Sequence, residues 1–466
     1  MRERWLALAT LAMLQVATLG AGAYAIANDG FNLDAMTKPA TRTEPVAEPP
    51  VAPVITSGPV LATGGDGTLP TKSTLASELT GALGDKALGP HVGAVVIDVA
   101  TGERLYAANA DEGVIPASTT KIVTGAAALA SLGPDTRLTT RVVQGRTANT
   151  IVLVGGGDPT LAGPSAKSSG AYPRPATLAT LAQRTAEALK DKGLTKVTLS
   201  FDDSLFTGPS SASGWKSNYI PDGEVAPVTA LMIDSGKANP AQSAPRVADP
   251  SRHAATAFAK LLAKYGVSVG KTVAAATAPA GAAELAQVQS APVYALVERT
   301  LTRSDNDVAE ALAHHVGLKE GFGGSFDGGI KGVQQALKRV GVTKGIVVTD
   351  GSGLSIKNRI SAGALAQLVA LASSPAHTDL RAVVSGMPIA GFSGTLGNGR
   401  RFTSPQSKTE VGLVRAKTGT LNNVNTLAGF ATTRDGRLVS FAFLADKVPV
   451  YAEPVLDRLA AIVARS

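Results

Sequence analysis

Pro116-Ala117-Ser118-Thr119-Thr120-Lys121 opens an Ala- and Leu-rich stretch that continues to Leu132 and stops at Gly133-Pro134. That pattern predicts a buried helix over 118–132. Lys121 stands three residues after Ser118, which puts both side chains on one helical face. A serine hydroxyl is a poor nucleophile until a base takes its proton. A lysine that is partly buried near the positive end of a helix has a lowered pKa and can be that base. The same helix end offers the Ser118 backbone N–H to a developing oxyanion. By itself, S-x-x-K is better read as an ordinary helix N-cap. Ser213-Gly214-Trp215-Lys216 and Ser268-Val269-Gly270-Lys271 also match the pattern. Both have glycine inside the motif and neither opens an apolar helix, so both read as chance.

Two further motifs lie downstream. Ser304-Asp305-Asn306 precedes the helical run Asp307-Val308-Ala309-Glu310-Ala311-Leu312, and Lys417-Thr418-Gly419-Thr420 follows a predicted strand over 411–416. Alone, the first reads as a cap with Glu310 at the surface, and the second as a basic strand end with a turn glycine. All three, in this order and on these elements, resemble the site of the penicillin-binding proteins and serine β-lactamases. The resemblance makes Ser304 a proton relay between Lys121 and the leaving amine. Asn306 then bonds the substrate amide and Lys121, and Lys417 supplies positive charge to the cleft. Thr418 and Thr420 offer hydroxyls to a substrate carboxylate, and the Thr420 N–H is the second oxyanion donor. Gly419 lets the substrate approach the strand backbone.

The bulk of the chain fits an exported enzyme. Its 466 residues allow roughly two to four domains and a large core. Cysteine is absent, which excludes disulfides, thiol nucleophiles and thiolate metal sites. The net charge of +8 suits an anionic wall or membrane face, but the basic residues form no block and aromatics are only 4%, so a nucleic-acid partner is disfavoured. Arg2, Glu3 and Arg4 precede an apolar stretch from Trp5 to Ala27, with Ala23-Tyr24-Ala25 as an A-x-A cleavage site. The stretch reads as a signal peptide or, being long enough, as an uncleaved membrane anchor. Either reading puts the body of the protein outside the cytoplasmic membrane.

Residues 28–70 are Pro/Gly-rich without an apolar period and read as a disordered linker. The catalytic pattern occupies 71–145 and resumes over 289–466. Within it, His91–Val99 and Glu103–Ala108 form a hairpin, and helices near 293–302, 306–316, 330–339 and 361–373 precede strands near 425–432 and 438–445 and a last helix at 453–465. Residues 146–288 mix short strands, Gly/Pro/Ser loops and helices near 177–192 and 252–265. They read as an inserted mixed α/β region. The expected class is α+β, an antiparallel sheet flanked by helices, of the serine β-lactamase/DD-peptidase type.

Three further stretches narrow the resemblance: Gly156-Gly157-Asp158-Pro159-Thr160-Leu161, Asp350-Gly351-Ser352-Gly353-Leu354-Ser355, and Met387-Pro388-Ile389-Ala390-Gly391 followed by Gly394-Thr395-Leu396. With the long gap between the first two motifs, they resemble the D-alanyl-D-alanine carboxypeptidase/endopeptidase family of class C penicillin-binding proteins (peptidase family S13). The resemblance covers the chain from about residue 73 onward. It implies a serine carboxypeptidase acting on peptidoglycan stem peptides that end in D-Ala-D-Ala, acylated at Ser118 by β-lactams, with no cofactor and no metal. It also implies that Ser352 and Leu354 line the cleft and that Asp234, after Ala226–Ile233, contacts the diamino acid of the stem. Alternatives remain open. Between Lys121 and Ser304 the E-x-x-L-N motif of a class A β-lactamase is missing, as are G-x-S-x-G and H-E-x-x-H anywhere. A wall-binding module without turnover, and transpeptidation in place of hydrolysis, share the same acyl-enzyme.

Overall fold

The computed structural model describes residues 67–166, 170–397 and 399–466. The predicted signal or anchor over 1–27, and nearly all of the predicted linker over 28–70, lie outside the described residues.

The centre of the molecule is an antiparallel sheet of five strands. Its order is Val414–Leu421, Val424–Thr432, Leu438–Asp446, His91–Asp98, Arg104–Ala108. The first and last thirds of the chain therefore meet at the pairing of His91–Asp98 with Leu438–Asp446. Successive residues of a strand face opposite sides, and here both sides are covered. Val95, Ile97, Ala428, Ala442 and Leu444 pack against the nucleophile helix Thr120–Leu132 and the helix Ala362–Ser373. Val96, Leu427, Phe441 and Phe443 face the other way, toward Leu75, Leu79, Leu456 and Leu459 of the helices Lys72–Leu83 and Glu453–Arg465. A sheet buried on both faces explains why His91–Val99 shows an unbroken apolar run. The expected α+β class is what the structure has.

A second, mixed sheet carries the inserted region. Its order is Ser268–Val269, Lys196–Asp202, Thr150–Val154, Arg137–Gln144, Glu284–Pro292, and Ala274–Ala275 also pairs with Lys196–Asp202. Thr150–Val154 and Lys196–Asp202 are parallel, while Arg137–Gln144 pairs antiparallel with both its neighbours. The amphipathic helices Leu178–Asp191 and Pro250–Lys264 bury Leu181, Leu189, Phe258 and Leu262 against it. This sheet begins at Arg137, earlier than the composition change near 145 implied. Its two antiparallel strands Arg137–Gln144 and Glu284–Pro292 are the stalks that connect it to the catalytic part. The first follows the nucleophile helix after Gly133, and the second runs directly into the helix Val293–Arg303 that ends at Ser304.

Candidate active site

Ser118 sits in a single 3-10 turn, Ala117–Thr119, that leads into Thr120–Leu132. Ala117 just before it has φ 48°, a left-handed conformation that a residue with a Cβ adopts only under constraint. The constraint is visible. Thr120 Oγ1 donates to Ala117 O (2.8 Å), while Thr119 Oγ1 and Thr426 Oγ1 donate to Pro116 O (2.7 and 2.8 Å). A Cβ on Gly353, whose own φ is 86°, would lie 1.9 Å from Ala117 O. The turn is gripped from three sides and holds Ser118 at the cleft.

Lys121 is fully buried. Its Nζ donates to Ser118 Oγ (3.0 Å), Asn306 Oδ1 (2.6 Å) and Ser352 O (2.6 Å). Asn306 Oδ1 and Ser352 O can only accept, so two of the three Nζ positions are always N–H. The third faces Ser118, and loss of a proton turns that contact into an acceptor for the serine O–H. Burial lowers the Lys121 pKa to about 8, against the opposing pull of Asp350, Glu310, Asp305 and Asp307. A base that titrates there is suited to take a proton near neutrality.

Ser304-Asp305-Asn306 is the turn between two helices. Ser304 ends Val293–Arg303 in a left-handed conformation, φ 57°. Asp305 caps Asn306–Lys319 by accepting from Val308 N and is held by Arg299 Nε at 2.8 Å. The middle residue of the motif therefore aims the other two. Asn306 Nδ2 donates to Glu224 O (2.8 Å), so the inserted region fixes this amide from behind. Ala226 N donates to buried Asp307, which Arg246 also pairs. Burial, then Asp305, raises the Asp307 carboxyl to about 7 in spite of Arg246.

Lys417-Thr418-Gly419 lies inside its strand, not after it, because Val414–Leu421 is a sheet edge. Pro388–Ala390 covers the first part of that edge through Ala390 N to Val414 O (2.9 Å) and Ala416 N to Pro388 O (3.0 Å). Alternate residues of a strand point their N–H the same way. Ala416 points outward, so Thr418 and Thr420 do too, and the Thr420 N–H faces the cleft. Thr418 Oγ1 shares a hydrogen bond with Thr395 Oγ1 (2.8 Å). The Thr420 hydroxyl donates to Glu453 (2.9 Å) and is not offered to a carboxylate as expected. The Gly419 reading is also corrected. A Cβ there would lie 2.1 Å from Thr426 Oγ1, 2.7 Å from Pro116 O and 3.1 Å from Ser118 N. Glycine at this position lets the turn of Ser118 approach the strand. Lys417 is buried and donates to Thr418 O (2.7 Å). Burial, then Lys121, then Arg401, push its pKa well below the ordinary value, which disfavours charge on both lysines at once.

The cleft encloses about 500 Å³ and is lined by Ser118, Ser304, Asn306, Leu354, Thr418 and Thr420, with Tyr219, Glu224 and Arg303. No histidine is among them. His314 is packed between Phe206 and Phe326, and burial lowers its pKa to about 4. Leu354 is where it was expected. Ser352 is not among the residues that line the cleft. It is fully buried, and its carbonyl holds Lys121. Asp234 is also outside the cleft. With φ 52° it turns away, accepts from Gly163 N (2.9 Å) and borders a separate cavity.

The residues that sequence reasoning missed stand behind the lysine. Glu310, expected at the surface, is fully buried and accepts from Gly351 N (2.9 Å) and Ser352 N (2.7 Å). Burial, then Asp350, raise its pKa to about 8. Asp350 takes Gly353 N, Ser355 N and Asn358 Nδ2, together with Trp215 Nε1 of the inserted region (2.8 Å). The stretch Asp350–Ser355 is thus a rigid loop that presents one carbonyl to Lys121. Its signal in the sequence was the D-G-S-G-L-S run, whose purpose only the fold reveals.

Fold and site are those of a serine-type acyl-transfer enzyme. Residues 75–246 and 236–465 match the D-Ala-D-Ala carboxypeptidase 3 (S13) family. A carboxypeptidase of Mycobacterium tuberculosis is 35% identical over 418 residues, 89% of this chain and 88% of that one. A D-alanyl-D-alanine carboxypeptidase of an Actinomadura strain is 30% identical over 78% of this chain and 79% of its own. Penicillin binding protein 4 of Haemophilus influenzae superposes with a TM-score of 0.67 at 20% identity, covering 85% of this chain and 98% of that structure, and so shares the fold. The chain belongs to the S13 family of D-Ala-D-Ala carboxypeptidases.

Proposed function

We propose that the chain removes the terminal D-Ala from peptidoglycan stem peptides through an ester on Ser118. Lys121 takes the Ser118 proton as Oγ attacks the carbonyl of the D-Ala-D-Ala bond. The oxyanion is met by the N–H groups of Ser118 and Thr420. Asn306 holds the acyl-side amide, while Thr418, with Thr395 beside it, receives the terminal carboxylate. The C–N bond then breaks, and the proton passes from Lys121 through Ser304 to the departing amine. Water cleaves the ester in a second step and regenerates Ser118. β-Lactams enter the same first step and stay as the ester. The reaction takes place outside the cytoplasmic membrane, the N-terminal segment serving as a cleaved signal or as an anchor.

The observation that carries this reading is the single lysine nitrogen shared by Ser118, Asn306 and Ser352. The test pairs a fluorescent penicillin with a D-Ala-D-Ala-ending stem pentapeptide. Stable labelling with D-Ala release, both lost in Ser118→Ala, is expected. Lys121→Ala should slow acylation by ~10²–10⁴-fold, the usual worth of a positioned base. Rapid turnover of the penicillin would make the protein a β-lactamase instead, and labelling without release would make it a binding module.

A further inference from the structure

The edge strand Val414–Leu421 is covered along its outward side only as far as Ala416, whose N donates to Pro388 O (3.0 Å). Beyond Ala416 that side opens on the cleft, and the Thr420 N–H stands there one residue from the strand's end. After Leu421 the chain turns back through Asn422 and Asn423, the latter with φ 60°. The ladder does not fix Thr420, because its N–H and C=O point away from its cross-strand partner Asn425. A hydrogen bond weakens steeply off line, so a donor in this place needs another support.

The support comes from the last helix, Glu453–Arg465. Its first residue accepts the Thr420 hydroxyl at Glu453 Oε1 (2.9 Å). The residue before it, Ala452, donates its N to Asn425 Oδ1 (3.0 Å), and Asn425 lies directly opposite Thr420. The start of the helix is therefore pinned to both strands of the hairpin at one register position. Glu453 is itself held. Arg401 Nη1 lies 3.4 Å from its Oε2, and the Tyr451 hydroxyl donates to the same oxygen. Arg401 is almost fully buried and fixed by Asp457, one turn further along the helix. One oxygen of Glu453 thus belongs to the frame and the other to Thr420. Glu453 is not among the residues that line the cleft.

We propose that Glu453 is a positioning residue for acyl transfer: by holding the Thr420 hydroxyl it keeps the Thr420 N–H aimed at the oxyanion. The inference rests on the proposed function above, in which that N–H is the second oxyanion donor. An oxyanion forms both when Ser118 attacks the amide and when water attacks the ester, and it is absent from the bound substrate. A slackened donor is therefore felt in kcat and not in KM.

The test is a double-mutant cycle in the full chain, read as kcat and KM for the stem pentapeptide and as the rate of acylation by a fluorescent penicillin. Glu453→Ala should lower kcat and the acylation rate about tenfold, less than the ~10²–10³-fold cost of removing a whole donor, with KM within about twofold. Thr420→Val keeps the N–H and the side-chain shape without the hydroxyl, and should show the same loss. The two together should lose no more than either alone, since they break one contact. Glu453→Gln keeps an oxygen for Thr420 and should recover most of the rate. Additive losses, a Thr420→Val enzyme as fast as wild type, or Glu453→Gln as slow as Glu453→Ala would overturn the proposal and leave the carboxypeptidase reading intact. A Glu453→Ala enzyme with lowered thermal stability but unchanged kcat would do the same. Wild-type protein that neither takes up penicillin nor releases D-Ala would sink both readings together.

Discussion

On the proposed mechanism, the nitrogen of Lys121 sets when the site works. Its pKa of about 8 means that the amine form accumulates as pH rises through that value. The rate constant for acylation by a penicillin should therefore climb up to about pH 8 and then level, each unit below it costing roughly tenfold. A stopped-flow pH series would show this, and a flat profile would remove Lys121 as the base. Glu310 acts at one remove, by gripping the two N–H groups next to the carbonyl that holds Lys121. Glu310→Gln puts an amide N–H against one of them and leaves it without an acceptor. The expected loss is about 1–3 kcal/mol of stability in urea unfolding, with slower acylation. The sequence motifs singled out Ser118, Lys121, Ser304 and Asn306, and the fold brings these together around one lysine nitrogen and one cleft. The sequence concealed Glu310 and misjudged Ser352, because their work is done by backbone groups whose direction depends on distant chain. Asp234 was misjudged for a related reason, since a left-handed turn sends its side chain elsewhere.

Among the elements, the edge strand Val414–Leu421 and the turn at Ser118 act as one piece. Gly419 is where they touch. Gly419→Ala should cost about 1–3 kcal/mol, since two of the three nearest atoms are backbone and cannot step aside. Penicillin labelling should fall with it, because the displaced atoms are Pro116 O and Ser118 N. Thermal denaturation and labelling measured together would check this, and a variant with unchanged labelling would show that the contact is not needed. The helices of the catalytic part were readable from their apolar spacing to within a few residues at most ends. The strand bearing Lys417 was read as ending too early. Lys417, Thr418 and Thr420 look like a polar strand end, but buried lysine and an open edge place them within the strand.

At the scale of the whole molecule, the last helix is tied to the catalytic part by a buried charge pair. Arg401 and Asp457 are almost fully buried, bonded through both carboxylate oxygens, and Asp457 also accepts from Phe402 N. Asp457→Ala leaves the buried guanidinium with Glu453 as its only carboxylate partner among the described residues and should cost up to about 3–5 kcal/mol in equilibrium unfolding. The composition change near 145 falls inside the second sheet, which begins at Arg137, and gave no sign of this region's part in the site. Trp215, Glu224 and Ala226 carry no catalytic motif, yet they brace Asp350, Asn306 and Asp307. The pairing of His91–Asp98 with Leu438–Asp446 has one more consequence, which concerns the making of the protein. The lysine meets Asn306 and Ser352 across 185 and 231 residues, and Pro116 meets Thr426 across 310. Contacts so remote in sequence form slowly, after the loops between them have closed. A chain still on the ribosome lacks Leu438–Asp446 long after Ser118 has been made, so the turn that holds this serine is completed only when those later strands pair with His91–Asp98.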